Sequence, residues 1–244
     1  MTTVQIEIHA DRTALVARAL ELVQARIQSA VAERGQCAIA LAGGSTPKPL
    51  YEALATLALP WSNLHIYWGD ERYVPIDHPD SNAGMAKAAW LDQVPIPTTQ
   101  IHIMPTHFAD PAAAADAYEA LLKDSLGAQP TFDIVLLGMG DDGHTLSLFP
   151  HTTAVNVSDR LVTVGTKGSD PRITLTAPLV NQSRCVMFLV SGSNKQTALT
   201  EVFAPESDDR AFPSRKIRPQ GELWWLLDAA AGEAIKSLPG VHVV

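Results

Sequence analysis

The chain has 244 residues, of which 46% are hydrophobic and 18% charged, and its formal net charge is −8. These proportions suit a folded protein with a sizeable core and argue against disorder. The acidic balance and the lack of a long basic run disfavour nucleic acid as the main partner, whereas a small anionic substrate stays open because a few local cations outweigh a weak global field.

Cys37 and Cys185 sit in the apolar runs CAIALAGG and CVMFLVSG and read as buried small hydrophobes, with no spacing that suits a metal. The opening MTTVQIEIHADR lacks the charged and apolar regions of a secretory signal, and no apolar run is long enough to span a bilayer, so a cytoplasmic location is expected.

In chain order, QIEIH (5–9) reads as a strand. Apolar residues at Leu15, Ala19, Leu22, Val23, Ile27 and Val31 then mark one face of a helix over 11–33, closed by Gly35. CAIALAGG (37–44) is a continuous apolar run, the pattern of a strand covered on both faces, and Pro47 opens a helix through PKPLYEALATLA. LHIYW (64–68) is a strand followed by a polar loop over 69–80, after which Ser81 can cap a helix reaching about Leu91. IHIM (101–104) is strand-like and 111–125 helical. FDIVLLG (132–138), RLVTVGT (160–166), CVMFLVSG (185–192) and LWWLLD (223–228) are further strands, with helices expected over 193–203 and 228–235. The polar segment 205–219 reads as a surface loop. This alternation predicts one α/β domain over 1–244, built on a mostly parallel, Rossmann-like sheet with helices on both sides. Ligands of such sheets bind at the carboxyl ends of the strands, which singles out 43–47, 69–75, 138–144 and 192–195.

Residues 138–143, GMGDDG, match the spacing of the dinucleotide fingerprint. Asp141 and Asp142 would set two negative charges against a pyrophosphate, however, and Pro150 leaves no room for the long helix such a loop must open. The glycines are better explained as a sharp turn that exposes Asp142 and His144. For His144 two readings stand, proton transfer near neutral pH or a hydrogen-bonded structural role. In LAGGSTP (41–47), Gly43 and Gly44 allow close backbone approach, Ser45 and Thr46 bring hydroxyls, and the following helix offers free N–H groups, so the loop is a candidate anion site. It lacks Walker A lysine spacing, and Pro47 breaks the G-x-S-x-G pattern of a nucleophile elbow. SGSNK (191–195) repeats the arrangement. Lys195 falls in a first helical turn, where a cation opposes the dipole and a bound anion would explain it; a solvated lysine is the plain alternative. WGDERYVP (68–75) presents Asp70, Glu71 and Arg72. The guanidinium fork suits a phosphate or carboxylate, and an internal ion pair is the competing reading.

The segments AGGSTPKPLYEAL, WGDERYVP with SNAGMA, LLGMGDDGHTLSLFPHT, RITLT and VSGSNKQTAL, in this order, resemble the 6-phosphogluconolactonase family, within the wider group that includes glucosamine-6-phosphate deaminase. Leu146 stands where the family pattern leads one to expect a smaller residue. The resemblance implies a three-layer α/β/α sandwich, no organic cofactor, no metal, and hydrolysis of 6-phospho-D-glucono-1,5-lactone in the oxidative pentose phosphate pathway. The deaminase turn continues after its histidine to Asn-Glu-Pro, whereas here the residues are Leu148, Phe149 and Pro150, and the deaminase has tyrosine at the position of Arg72. Both differences favour lactone hydrolysis over a deaminase-like aldose–ketose reaction. A non-catalytic sugar-phosphate sensor is the third reading, although no DNA-binding module accompanies it.

Under the resemblance His144 is the base that activates water and Asp142 its orienter. Gly43, Gly44, Ser45, Thr46 and Lys195 hold the 6-phosphate, with Arg172 of RITLT as a further phosphate candidate. Arg72 serves either the phosphate or the oxyanion, and Asp70 orients Arg72 or a sugar hydroxyl. The expected partner is a phosphosugar lactone; an oligomeric state is not legible, and a monomer is compatible with the sequence.

Overall fold

In chain order the strands of the computed structural model, which describes residues 3–244, are β1 (Thr3–His9), β2 (Cys37–Leu41), β3 (Leu64–Trp68), β4 (Asp70–Arg72), β5 (Ile134–Leu137), β6 (Val162–Lys167), β7 (Asp170–Leu175), β8 (Cys185–Val190), β9 (Glu222–Asp228) and β10 (Val241–Val243). The helices are α1 (Arg12–Arg34), α2 (Lys48–Leu54), α3 (Asn82–Ala89), α4 (Pro111–Leu126), α5 (Ala177–Asn181), α6 (Gln196–Phe203) and α7 (Ala229–Gly232). Met1 and Thr2, part of the expected domain, lie outside the described residues.

Seven strands form one sheet in the order β10-β1-β9-β8-β5-β2-β3, with every neighbouring pair parallel. β2, β5 and β8 are buried at every position, as their unbroken apolar runs require, because helices cover both faces of a parallel sheet. Phe188 and Trp225, opposite each other on β8 and β9, stack with ring centroids 3.8 Å apart. Asp133, just before β5, is buried but satisfied: it accepts the Ala38 N–H at 2.8 Å and pairs with Arg34 at 3.1 Å. α1 is capped as the sequence predicts. The Asp11 carboxylate accepts the Ala14 N–H, and Gly35 ends the helix in the left-handed region at φ 75°.

The chain runs from β2 outward to β3, then returns on the other side of β2 to β5, β8 and β9. The direction therefore reverses between β2 and β5, and the loops leaving their carboxyl ends open a crevice. Among the described residues no helix is long and apolar enough to cross a membrane.

Several expected elements are differently placed. Residues 160–166 do not join the parallel sheet: β6 pairs antiparallel with β7, which pairs antiparallel with β4, in a separate three-stranded sheet. The cause is the tight connection from Lys167 to Asp170 through Gly168 at φ 62°, since a two-residue turn can join only antiparallel strands. The supposed polar loop over 69–80 thus contains a strand. IHIM forms no strand and touches β3 through a single bridge, Ile101 to Ile66, before Pro105 removes a donor. The helix opened by Pro47 ends at Leu54, and the one after β9 gives way to a 3₁₀ turn, Glu233–Ile235. Segment 205–219 is no plain surface loop: it holds a 3₁₀ turn, Pro213–Lys216, with Pro213, Ser214 and Ile217 buried.

His65 on β3 meets His102 with Nδ1 and Nε2 3.3 Å apart, and the His102 ring stacks on Tyr67. Burial lowers the pKa of both imidazoles from the ordinary 6.5, and for His102 the neighbouring His65 adds to the effect. Both are therefore neutral in the folded chain at neutral pH, and the unfolded chain takes up these protons first as pH falls. Stability from the pair is complete above the unfolded value and is lost as pH falls through the lowered folded values. The melting temperature is expected to drop between about pH 7 and pH 5 more steeply in the wild type than in a His65→Gln/His102→Gln double variant. Equal slopes would assign the acid sensitivity to other groups.

Candidate active site

The four loops singled out by the strand ends meet around one cavity of about 410 Å³. Gly43, Gly44, Ser45, Thr46, Asp70, Arg72, His144, Arg172 and Lys195 all line it. Asp142 does not; it stands behind His144.

The loop after β2 is set by Tyr51 of α2, whose buried hydroxyl accepts the Ala42 N–H at 3.0 Å and donates to the Ala42 carbonyl at 2.7 Å. Gly44 turns the chain at φ 92°, which few residues other than glycine adopt. Gly43 is required for a different reason: a Cβ there would lie 1.8 Å from Oδ1 of Asn82, a buried residue of α3 that also lines the cavity. Arg12, which the sequence reading missed, comes from the start of α1 and donates to the Ser45 carbonyl. No pattern around Arg12 signals this, because the contact spans 33 positions of sequence.

Lys195 closes a 3₁₀ turn, Ser193–Lys195, and forms the N-cap of α6, one position earlier than a first-turn residue. Its loop is tied down by Asp228 at the end of β9, a second residue the sequence reading passed over. Asp228 accepts from Ser191 Oγ at 2.5 Å and from the Gly192 N–H at 3.1 Å.

Arg72 and Arg172 are directly opposite each other on β4 and β7. Burial, followed by repulsion from Arg72, lowers the Arg172 pKa from its usual value. Both guanidiniums keep a buried Nε–H without a partner. The ion pair considered for Arg72 does not form with Glu71. That carboxylate turns inward and accepts the backbone N–H groups of Arg72, Asn82 and Ala83 at 2.7–2.8 Å, anchoring the start of α3. Asp70 does not take it either: its Oδ2 accepts Ser147 Oγ at 2.6 Å. Two like charges left together and partly desolvated are costly for stability, and a bound anion would relieve them.

The turn after β5 brings the other half of the chemistry. Gly143 adopts φ 78°, and His144 Nδ1 lies 2.5 Å from Asp142 Oδ1. A carboxylate only accepts, so Nδ1 carries the proton and Nε2 is left with a free lone pair. Burial alone would raise the Asp142 pKa, but hydrogen bonds from the His144 ring and backbone outweigh it and hold the carboxyl below its ordinary range. Phe149 packs against the His144 ring with centroids 4.4 Å apart, and the Arg172 guanidinium lies over the Phe149 ring, 5.6 Å from its centroid. Leu146 lines the cavity at φ 55°, a strained conformation for a residue with a Cβ.

A family model described as glucosamine-6-phosphate isomerases/6-phosphogluconolactonase matches residues 10–225. The chain belongs to this family. A 6-phosphogluconolactonase of Synechocystis sp. is 57% identical over 236 residues, covering 95% of this chain and 98% of the relative. That of Mycobacterium tuberculosis is 40% identical over 244 residues, with 95% and 98% covered. Among solved structures, the 6-phosphogluconolactonase of Trypanosoma brucei superposes with a TM-score of 0.85 at 30% identity, covering 96% of this chain and 99% of that one. A monomeric glucosamine-6-phosphate deaminase matches with a TM-score of 0.80 at 20% identity, which is a likeness of fold alone.

Gly43→Ala is expected to displace the Asn82 side chain or the loop itself. Affinity for 6-phosphogluconate should fall at least tenfold, about 1.4 kcal/mol, with the melting temperature changed far less. Isothermal titration of the variant checks this, and unaltered affinity would show that the close approach is not needed for binding.

Proposed function

We propose that this chain hydrolyses 6-phospho-D-glucono-1,5-lactone to 6-phospho-D-gluconate, a step of the oxidative pentose phosphate pathway, and that His144 activates the water. The observation that carries this reading is His144, held by Asp142, opening onto the same cavity as a glycine loop, a lysine and two arginines with unpartnered N–H groups. The identity with named 6-phosphogluconolactonases over nearly the whole chain supports the same activity.

A six-membered lactone is an activated ester and needs no covalent nucleophile. His144 Nε2 takes a proton from water as the water oxygen attacks the lactone carbonyl carbon. The carbonyl π electrons move to oxygen, and the arginine pair at the same cavity wall stabilises that charge. Asp142 holds the imidazole in the required tautomer and favours the imidazolium. Collapse of the tetrahedral intermediate reforms the carbonyl and breaks the bond to the ring oxygen, which takes the proton back from the imidazolium. The product is an open-chain acid with a free hydroxyl.

The residues 43–46, with Lys195, are assigned to the 6-phosphate, the loop by its backbone freedom and the lysine by its charge. Arg172 is placed between phosphate and oxyanion together with Arg72. Asp70, its Oδ2 already held by Ser147, is assigned to a sugar hydroxyl rather than to Arg72. Phe149 is the residue that sets this site apart from a deaminase: it cannot transfer a proton, and it packs the base instead. A cytoplasmic location is part of the same proposal.

Supplying the lactone and glucosamine 6-phosphate in turn separates the readings. Accelerated acid release from the lactone supports hydrolysis, ammonia release points to the deaminase reaction, and binding without turnover to a sensor. His144→Ala is expected to lower kcat by about 10²–10⁴-fold with binding of 6-phosphogluconate largely retained. Near-normal turnover would remove the base assignment. Lys195→Ala is expected to raise KM by about tenfold or more with a smaller change in kcat, the pattern of a lost charged contact to substrate.

A further inference from the structure

We propose that Ser214 is a positioning residue for the reaction, holding the Gly143 carbonyl and thereby fixing the Asp142–His144 pair at the cavity. The inference rests on His144 being the base.

Ser214 is fully buried and gives two hydrogen bonds to one acceptor: its N–H reaches the Gly143 carbonyl at 3.0 Å and its Oγ the same oxygen at 2.8 Å. Phe212 closes the other side of that glycine, since a Cβ on Gly143 would come within 2.7 Å of the Phe212 ring. The residue between Asp142 and His144 is thus gripped from outside by a segment some 70 positions later in the chain, 71 by the Ser214 bond.

That segment is itself well anchored. Arg215 Nη1 donates to the carbonyls of Glu201, Val202 and Ala204 at the end of α6, at 2.9, 2.7 and 2.5 Å, and its Nε pairs with Asp209 at 2.8 Å. The Asn181 side chain of α5 donates to the Lys216 carbonyl at 2.8 Å and accepts the Arg218 N–H at 2.7 Å. Residues 209–218 therefore form a strut between two helices, with Ser214 and Phe212 facing the turn.

The turn needs such a support. Its internal bonds, Gly140 N–H to the His144 carbonyl at 2.9 Å and Gly143 N–H to the Gly140 carbonyl at 3.2 Å, close it on itself, and Thr145 Oγ ties it back only to the Gly138 carbonyl after β5, at 2.8 Å. The next helical element, a 3₁₀ turn, starts only at Thr153, and the Asp142 side chain is 46% exposed, so packing does little to hold the orienting carboxylate. A base has to sit within a few tenths of an ångström of its water for efficient transfer. The charged groups that face His144 are Asp142 on its ring, Arg172 over the Phe149 ring that packs on it, and Asp70, Arg72 and Lys195 around the shared cavity. A loosened turn weakens the Asp142 contact first, which destabilises the imidazolium.

Ser214→Ala keeps the backbone bond and loses the hydroxyl. The expected result is a kcat lowered about three- to tenfold, the factor carried by one neutral hydrogen bond. The acid limb of the kcat/KM profile should move to lower pH, and competitive inhibition by 6-phosphogluconate should stay unchanged. Ser214→Cys preserves the buried volume and weakens the donor; it gives the same direction should the alanine variant fail to fold. Folded variants with wild-type kcat and an unmoved acid limb would overturn the proposal. So would a loss of activity that follows the melting temperature while the acid limb stays in place. If His144→Ala retains turnover, it is the base assignment that fails, and that variant leaves Ser214 untouched.

Discussion

A strand with apolar side chains on both faces can carry charged groups only at its ends, and β2, β5 and β8 are such strands. The polar groups that the parallel sheet brings to the cavity therefore sit on the loops at the carboxyl ends of its strands. Because the strand order reverses between β2 and β5, two glycine-containing turns leave adjacent strands and diverge, and the crevice between them is the cavity. The small antiparallel sheet adds what the parallel sheet cannot: it carries Arg72 and Arg172 on paired strands, side by side at the cavity wall.

The price of this arrangement is visible in the residues that work against stability. Arg72 and Arg172 repel each other with unpartnered N–H groups, Lys195 caps the positive end of a helix, and Leu146 is held in the left-handed region. Such features persist where the surrounding structure over-determines them, and here the surroundings do. Glu71 pins α3, Asp228 pins the loop before α6, and Tyr51 pins the loop after β2, each by accepting or bridging backbone groups.

At the cavity the Phe149 ring packs on the His144 ring and lies beside the Arg172 guanidinium. The cavity then holds one imidazole beside several cations, an arrangement suited to attack of water on an ester and charge building on its oxygen.

Local patterns determined a good deal of this protein. The apolar runs named the buried strands, the Asp11 and Gly35 ends bounded α1, and glycine-rich loops at strand ends named the residues that line the cavity, because periodicity, capping and backbone freedom are properties of a few adjacent residues. What followed from partners far away in sequence was not legible. The antiparallel placement of β6, the inward turn of Glu71, the reach of Arg12 to Ser45 and the grip of Ser214 on Gly143 each depend on which segments meet. The sequence by itself specified the strands, the turns and the chemical groups at their ends. Only the tertiary structure decided which of those groups face one another, since hydrogen bonds and charge repulsion act across space and leave no period along the chain.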